Sequence, residues 1–390
     1  MMPNYYEFYC PVKIVSGNKA LSSLPYEMDQ LGAHKALIIT DRGVVAAGLL
    51  KKVQSVFEGS NCAIGAVYDQ TPVDSSNLVV NQVAKIFNEK GCDCLVALGG
   101  GSAIDTAKGV NIVVSEKTDD LLKYQGAERI KEPMKPLIVI PTTSGTGSEA
   151  TLVAVIANLE AKVKMSFTSN KLYPNVAILD PKMLVTLPKK ITAATGMDAL
   201  THAIEAYVCL QKNPVSDAFA ITAIKLIREN LVKAVENGND ETARLAMANA
   251  ALCGGIAFSN SLVGIVHSIA HACGGVAQIP HGVANAILLP WGMEYNLDKS
   301  AETIAELAPW LGALVSGSKM DQAKAAIQAV RGLAKKLSEL SGLPLKLKDA
   351  GLKEDQFPQI AKTAINDGTM NYNPRDATIE EVIYILKKAY

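Results

Sequence analysis

Five apolar runs, each about the length of a strand, recur within the first 185 residues: KALIIT (35–40), CAIGAVYD (62–69), CLVALGG (94–100), PLIVIPTT (136–143) and NVAILD (175–180). Helix-like segments at 78–89 and 102–113 separate several of them. Runs that are apolar throughout, rather than alternating, belong to strands covered on both faces. Strand–helix–strand repetition therefore predicts an α/β domain with a mostly parallel sheet. The stretch MSFTSNKLYPNV (165–176) reads as extended chain and turn.

After Pro188 the rhythm changes. KKITAATGMDALTHAIEAYVC, TARLAMANAALCGGIAF and later segments space their apolar residues three and four apart, and strand-like runs nearly vanish. That periodicity predicts an all-helical second domain. A chain of 390 residues also exceeds what one core ordinarily organises. Pro181 and Pro188 mark the change, so the expected domains are 1–185 (α/β, nucleotide-binding) and 186–390 (helical, metal-binding and catalytic). No low-complexity linker separates them, and the halves are expected to pack directly around a cleft.

Composition narrows the function class. The 38 basic side chains balance 38 acidic ones, and no basic patch with interleaved aromatics appears, which gives no basis for nucleic-acid or anionic-membrane binding. The start, MMPNYYEFYCPVKIVSG, lacks the features of a signal peptide, and no run of about 18 apolar residues suggests a membrane span. Seven cysteines, an odd number in apolar contexts, fit a reducing cytoplasm. Cys92 and Cys94 form a C-x-C pair, but nothing nearby completes a site, so they read as buried thiols.

Two strand exits in the first domain carry nucleotide chemistry. In LVALGGGSAIDTAK (95–108) a buried strand runs into Gly99, Gly100, Gly101 and Ser102 and then into a helix. Glycines let backbone approach a phosphate, and a helix N-terminus offers unpaired N–H groups and positive partial charge. The bland alternative is a tight turn with Ser102 as helix cap. The usual dinucleotide fingerprint is not met, because Ile104 occupies the third glycine position and no acidic residue ends a strand about 20 residues downstream. Asp41 instead ends the earlier run ALIITD. A carboxylate there can accept bonds from an adenosine ribose and repel a 2′-phosphate, favouring NAD over NADP, although a helix-cap role fits the local sequence equally. The second exit, PTTSGTGSEAT (141–151), places Thr142 and Thr143 in a hydroxyl-rich loop.

The second half holds four of the five histidines. Asp198 and His202 stand at i and i+4 in TGMDALTHAIEAY, and His267 and His271 repeat that spacing in GIVHSIAHACGGVAQIPHG, where His281 follows at a Pro/Gly turn. Residues four apart on a helix share a face. One carboxylate and four imidazoles in apolar surroundings point to a metal site, since an isolated buried histidine still needs a partner. The donor types suit Fe²⁺, Zn²⁺ or Mn²⁺ without choosing among them, and no H-E-x-x-H is present.

GGGSAIDTAKG, PTTSGTGSEAT, GMDALTHAIEAY and GIVHSIAHACGGVAQIPHGVANAILLP together resemble the signature segments of the iron-containing (group III) alcohol dehydrogenases, and the similarity extends to NPRDATIEEVIYILKKAY at the C-terminus. The glycine loop is shared with more distant relatives such as glycerol dehydrogenases and dehydroquinate synthases. The resemblance implies a dehydroquinate synthase-like fold, an NAD(H)-dependent alcohol dehydrogenase or aldehyde reductase, and a homodimer or higher homo-oligomer to which EFYCPVKIVSG could contribute a strand. It implies Asp198, His202, His267 and His281 as metal ligands, with His271 just outside them near substrate and nicotinamide. Gly99, Gly100, Gly101 and Ser102 would hold the pyrophosphate, with Thr142 and Thr143 nearby, Asp41 would take the ribose, and Lys164 would reach the cofactor. The implied substrate is a short-chain primary alcohol or aldehyde. A polyol oxidoreductase, a metal-dependent lyase or hydrolase, and a non-catalytic nucleotide- and metal-binding protein are the alternatives.

Overall fold

A computed structural model describes residues 3–160 and 163–390. The chain divides into two compact units, Cys10–Thr186 and Leu187–Tyr390, the latter joined by the described residues that precede Cys10.

The strands of the first unit are β1 (Lys13–Ser16), β2 (Lys35–Ile39), β3 (Ala63–Tyr68), β4 (Cys94–Gly99), β5 (Gly126–Ala127), β6 (Leu137–Pro141), β7 (Val153–Asn158), β8 (Val163–Thr168) and β9 (Val176–Leu179). Its α-helices are α1 (Leu24–Gln30), α2 (Arg42–Ala46), α3 (Leu49–Ser55), α4 (Asn77–Glu89) and α5 (Gly101–Ser115). Six strands form one sheet in the order β1-β9-β6-β4-β2-β3, and every neighbouring pair in it is parallel. Alternate residues of the apolar runs enter separate cores. Leu37, Ile39, Leu95, Ala97 and Val139 pack on one side, and Ala36, Ile38, Val96, Leu98 and Ile140 on the other. Both faces of the inner strands β2, β4, β6 and β9 are dry, which is why they read as continuous apolar runs.

A second, three-stranded sheet follows the order β5-β8-β7, with β7 and β8 antiparallel. The sequence did not announce β7, and MSFTSNKLYPNV, read as extended chain and turn, begins inside the paired strand β8. The reason is partial burial. In β8 Met165 and Phe167 are buried while Lys164 and Ser166 are exposed, so the strand lacks the apolar density of its neighbours.

The second unit is helical: α6 (Lys189–Val208), α7 (Pro214–Glu236), α8 (Glu241–Ser261), α9 (Ile265–Ala277), α10 (His281–Tyr295), α11 (Leu297–Leu307), α12 (Lys319–Ser341), α13 (Phe357–Ile365) and α14 (Ile379–Ala389). One core runs through these helices, rich in alanine at α6, α7 and α8, which lets their axes approach closely. Among the described residues no single helix is long and apolar enough to cross a membrane.

Close approach also governs the first unit. A Cβ on Gly109 of α5 would lie 2.5 Å from Ile156 Cδ1 of β7 and 2.9 Å from Val80 Cγ2 of α4. Gly109→Ala should therefore destabilise the protein by about 1–3 kcal/mol, although alanine is the better helix former. Adding Ile156→Val should return part of the loss. Urea denaturation midpoints of the single and double variants check this, and a more stable Gly109→Ala would contradict it.

Candidate metal centre and nucleotide cradle

Three helices of the second unit each bring one or two side chains to a common point. The α6 helix carries Asp198 and His202 one turn apart, α9 carries His267, and α10 opens on His281. Asp198, His202, His267 and His281 each offer a ligand atom, and those atoms all lie within 4.8 Å of one another. The first three are buried and His281 is half-buried. The His281 position differs from the Pro/Gly turn read in the sequence, since Pro280 caps α10 and His281 is its first residue. Gly282 has a packing reason: a Cβ there would lie 2.7 Å from the Ala194 carbonyl oxygen, so the first turn of α10 seats directly on α6.

The electrostatics favour a bound cation. Asn285, one turn beyond His281, directs Nδ2 to Asp198 Oδ1 at 2.6 Å, to His281 Nε2 at 3.1 Å and to His267 Nε2 at 3.3 Å. Three acceptors thus face a single spot, and an amide nitrogen has only two hydrogens to share among them. Burial alone would raise the Asp198 carboxyl, but the three neighbouring imidazoles hold it below the usual carboxylate range. Burial, followed by the His202 and His281 rings, drives His267 well below the ordinary imidazole value. One carboxylate and three imidazoles form a donor set that fits a divalent transition metal.

Glu205 was not singled out in the sequence, although it stands seven residues after Asp198 on the same face of α6. It is buried, and its carboxylate accepts from the backbone N–H groups of Val266 at 2.8 Å and His267 at 3.2 Å, capping the start of α9. The same group meets His267 Nδ1 at 2.6 Å. Burial pushes the Glu205 carboxyl up to about 7 against those backbone donors. With Nδ1–H given to Glu205, His267 keeps the Nε2 lone pair for the cluster, as orienting carboxylates do for histidine ligands. His202 is held differently, stacked between the rings of Phe258 at 4.4 Å and His267 at 4.5 Å.

His271 does not join the four donors. Its ring stacks at 5.3 Å from that of His281, it is partly exposed, and its Nδ1 lies 2.9 Å from Asp367 Oδ2. Burial would raise the Asp367 carboxyl, but the bond and charge of His271 together with Thr369 hold it down at about 2.

In the first unit, the carboxyl ends of β6, β4 and β2, three adjacent strands, present Thr142 and Thr143, the glycine loop, and Asp41. The chain passes from β2 outward to β3 and then returns to place β4 on the other side of β2, so the order reverses between β2 and β4. Ligands of open parallel sheets sit at such a reversal. Gly99, Gly100, Gly101 and Ser102 leave β4 there, with Gly100 as the cap of α5, so Ser102 lies in the first turn instead of capping it. Ser102 Oγ bonds the Val73 carbonyl. The second loop packs against the first. Thr142 N donates to Gly99 O at 3.0 Å, and a Cβ on Gly101 would lie 2.9 Å from Thr146 Cγ2 and one on Gly100 3.1 Å from Thr143 Cγ2.

Asp41 follows β2 and caps α2, accepting from Val44 N at 3.0 Å, while its Oδ2 faces Gly99. The acidic residue precedes the glycine loop in sequence because the strand beside β4 is the earlier β2. Lys164 pairs with Asp74 at 2.7 Å on the exposed side of β8. Sequence reading also missed a buried staple under the loops. Lys108 Nζ donates to Thr151 O at 2.8 Å, Thr151 Oγ1 at 2.9 Å and Val153 O at 2.9 Å. Asp105 accepts from Ser148 Oγ at 3.0 Å and Val155 N at 3.1 Å. Burial drives the Lys108 ammonium down to about 8 against the Asp105 and Glu149 carboxylates. Charges one helical turn apart on α5 thus fix the path of residues 148–155.

Metal analysis of variants separates holding from orienting. Asp198→Ala should lose the ion, whereas Glu205→Ala should still bind it with affinity lowered about 10- to 100-fold. Zn²⁺ titration of the stripped proteins reads both, and unchanged affinity in Asp198→Ala would contradict the assignment.

Residues 11–181 match the family described as iron-containing alcohol dehydrogenase, and residues 192–390 match the C-terminal part of the Fe-containing alcohol dehydrogenase family. The chain is 40% identical over 384 residues to the NAD-dependent methanol dehydrogenase of Bacillus methanolicus, covering 98% of this chain and 99% of that one. It is 35% identical to the lactaldehyde reductase of Escherichia coli (strain K12), covering 96% and 97%. A solved 1,3-propanediol oxidoreductase superimposes with a TM-score of 0.95 at 38% identity, over 99% of this chain and 100% of that one. The sequence matches span both units, and the chain belongs to the iron-containing alcohol dehydrogenase family.

Proposed function

We propose that this protein is an NAD(H)-dependent alcohol dehydrogenase, or aldehyde reductase, that works on short-chain primary alcohols or aldehydes, diols and hydroxyaldehydes included. The observation that carries the reading is the group of one carboxylate and three imidazoles within 4.8 Å. Asp198, His202, His267 and His281 would hold Fe²⁺, with Zn²⁺ or Mn²⁺ as substitutes. Bound there, such a cation supplies Lewis-acid polarisation of an alcohol or aldehyde oxygen. Relatives named for methanol, 1,3-propanediol and lactaldehyde support the substrate class.

The chain's own residues have separate tasks. Glu205 orients His267 and, by capping α9, sets the position of the whole helix start. His271 would move the proton of the substrate hydroxyl, since an imidazole can accept a proton at one ring nitrogen while donating from the other. Gly99, Gly100, Gly101 and Ser102, with Thr142 and Thr143, would bind the pyrophosphate through backbone N–H and hydroxyl groups. Asp41 would accept from the adenosine ribose and disfavour a 2′-phosphate, which selects NAD over NADP. Lys164 would reach the cofactor by leaving Asp74, an exchange that costs little for an exposed ion pair. The β1 strand forms one edge of the six-stranded sheet, with Ile14 exposed, and would serve assembly into a homodimer or larger homo-oligomer.

Stripped protein reloaded with single metals and supplied with NADH should oxidise it when given short aldehydes. His271→Ala should keep its metal and lose at least 100-fold in kcat, the lower range for positioned acid–base groups. Loss of metal in that variant would make His271 a ligand, and NADH absorbance that stays constant across metals and aldehydes would end the dehydrogenase reading.

A further inference from the structure

We infer that Asp367 is a positioning residue for His271, setting the tautomer and the angle of the imidazole through which the proton would pass. The inference rests on the proposed proton role of His271 and adds a residue outside the metal-holding group.

The geometry is that of a clamp. Asp367 lies between α13 and α14 and is the cap of the short turn Gly368–Tyr372. Its two carboxylate oxygens are divided between two jobs. Oδ1 accepts from Thr369 N at 2.9 Å and from Thr369 Oγ1 at 2.7 Å, which fixes the carboxylate plane against its own turn. Oδ2 is left for His271 Nδ1 at 2.9 Å. Thr369 Oγ1 also lies 2.7 Å from Ser268 Oγ, whose single hydrogen can go to Thr369 or to Gly264 O at 3.1 Å. Ser268 and His271 stand three apart on α9, so they share a face and both grip the same turn. A side chain held at one end by a fixed acceptor cannot rotate freely about its second torsion angle.

The chemical consequence follows from the two ring nitrogens. A carboxylate accepts and does not donate, so Asp367 requires hydrogen on Nδ1 of the imidazole. The neutral ring then carries its lone pair on Nε2, the one nitrogen available to take a substrate proton. Without Asp367 the ring can adopt the other tautomer and other rotamers, and only a fraction of molecules would hold the competent form. A purely structural tether would instead affect folding or α9 placement, and with it metal retention.

The test uses the Zn²⁺-loaded protein with ¹⁵N-labelled histidine. Asp367→Ala should retain wild-type zinc content and NADH affinity, change KM less than threefold, and lower kcat about 10- to 100-fold, the usual effect of removing a group that orients an active imidazole. Asp367→Asn, which keeps an acceptor oxygen, should recover part of that loss. The double variant Asp367→Ala/His271→Ala should be no slower than His271→Ala, because the first residue acts only through the second. In the ¹⁵N spectrum, the resonances missing from His271→Ala should change from an Nδ1–H to an Nε2–H pattern in Asp367→Ala. Wild-type kcat in Asp367→Ala, a double variant slower than His271→Ala, or an unchanged ¹⁵N pattern would overturn the inference. Loss of zinc from Asp367→Ala would assign the residue a structural role and overturn it too. If His271→Ala turns over normally, the proton role of His271 falls, and the ¹⁵N pattern still decides whether Asp367 sets the tautomer.

Discussion

The mutual repulsion of acceptor atoms at one point of the helical unit is the constraint on which the rest depends. A carboxylate held ionised and the ligand atoms of three imidazoles, His267 among them held unprotonated, would not stay within 4.8 Å of one another without a positive partner or a rigid frame. The frame is visible. The α6 helix supplies Asp198, His202 and Glu205 from one face, Gly282 lets α10 sit on the carbonyl of Ala194, and Glu205 ties the beginning of α9 to α6. The alanine-rich packing of α6, α7 and α8 is what brings these backbones close enough. Core and site are therefore one problem: a methyl group added at Gly282 would disturb the donors as directly as a change in a ligand.

The parallel sheet answers a different demand, that of offering backbone N–H groups and hydroxyls at one end. Reversal of strand order between β2 and β4 opens the space, and the glycines of the β4 exit let the 141–151 loop lie against it. The Lys108 and Asp105 staple then fixes that loop from below. Lys108 and Asp105 do not pair with each other; each spends its hydrogen bonds on residues 148–155. The staple makes sense as a device for holding one loop conformation.

Much of this was legible in the sequence, and the failures have physical causes. The five apolar runs all became strands, and β2, β4, β6 and β9 carry the continuous apolar mark of burial on both faces, while the edge strand β3 is only half-buried. The β7 and β8 strands escaped notice because buried and exposed residues alternate along both, Val155 between Ala154 and Ile156 and Ser166 between Met165 and Phe167. Spacing and the scarcity of histidine marked Asp198, His202, His267, His271 and His281 as candidate ligands, and the family resemblance selected the four without His271. Glu205, Asn285 and Asp367 were not legible, since nothing marks a carboxylate or amide as facing a particular ring until the helices are placed. Glu205 came nearest, because it continues the Asp198–His202 face by one turn. Asp41 was read two ways, and its cap bond to Val44 is compatible with both, because its second oxygen faces the glycine loop. Ser102 was weighed as a helix cap, a place that Gly100 takes.

The most direct measurement is a crystal structure of Zn²⁺-loaded protein with anomalous data collected on both sides of the zinc edge. The account predicts one strong peak in the helical unit, about 2.0–2.2 Å from one oxygen of Asp198 and one nitrogen each of His202, His267 and His281. His271 should remain on Asp367, out of bonding range of the ion. A peak bound by His271, or zinc lodged elsewhere with those four side chains unengaged, would contradict it.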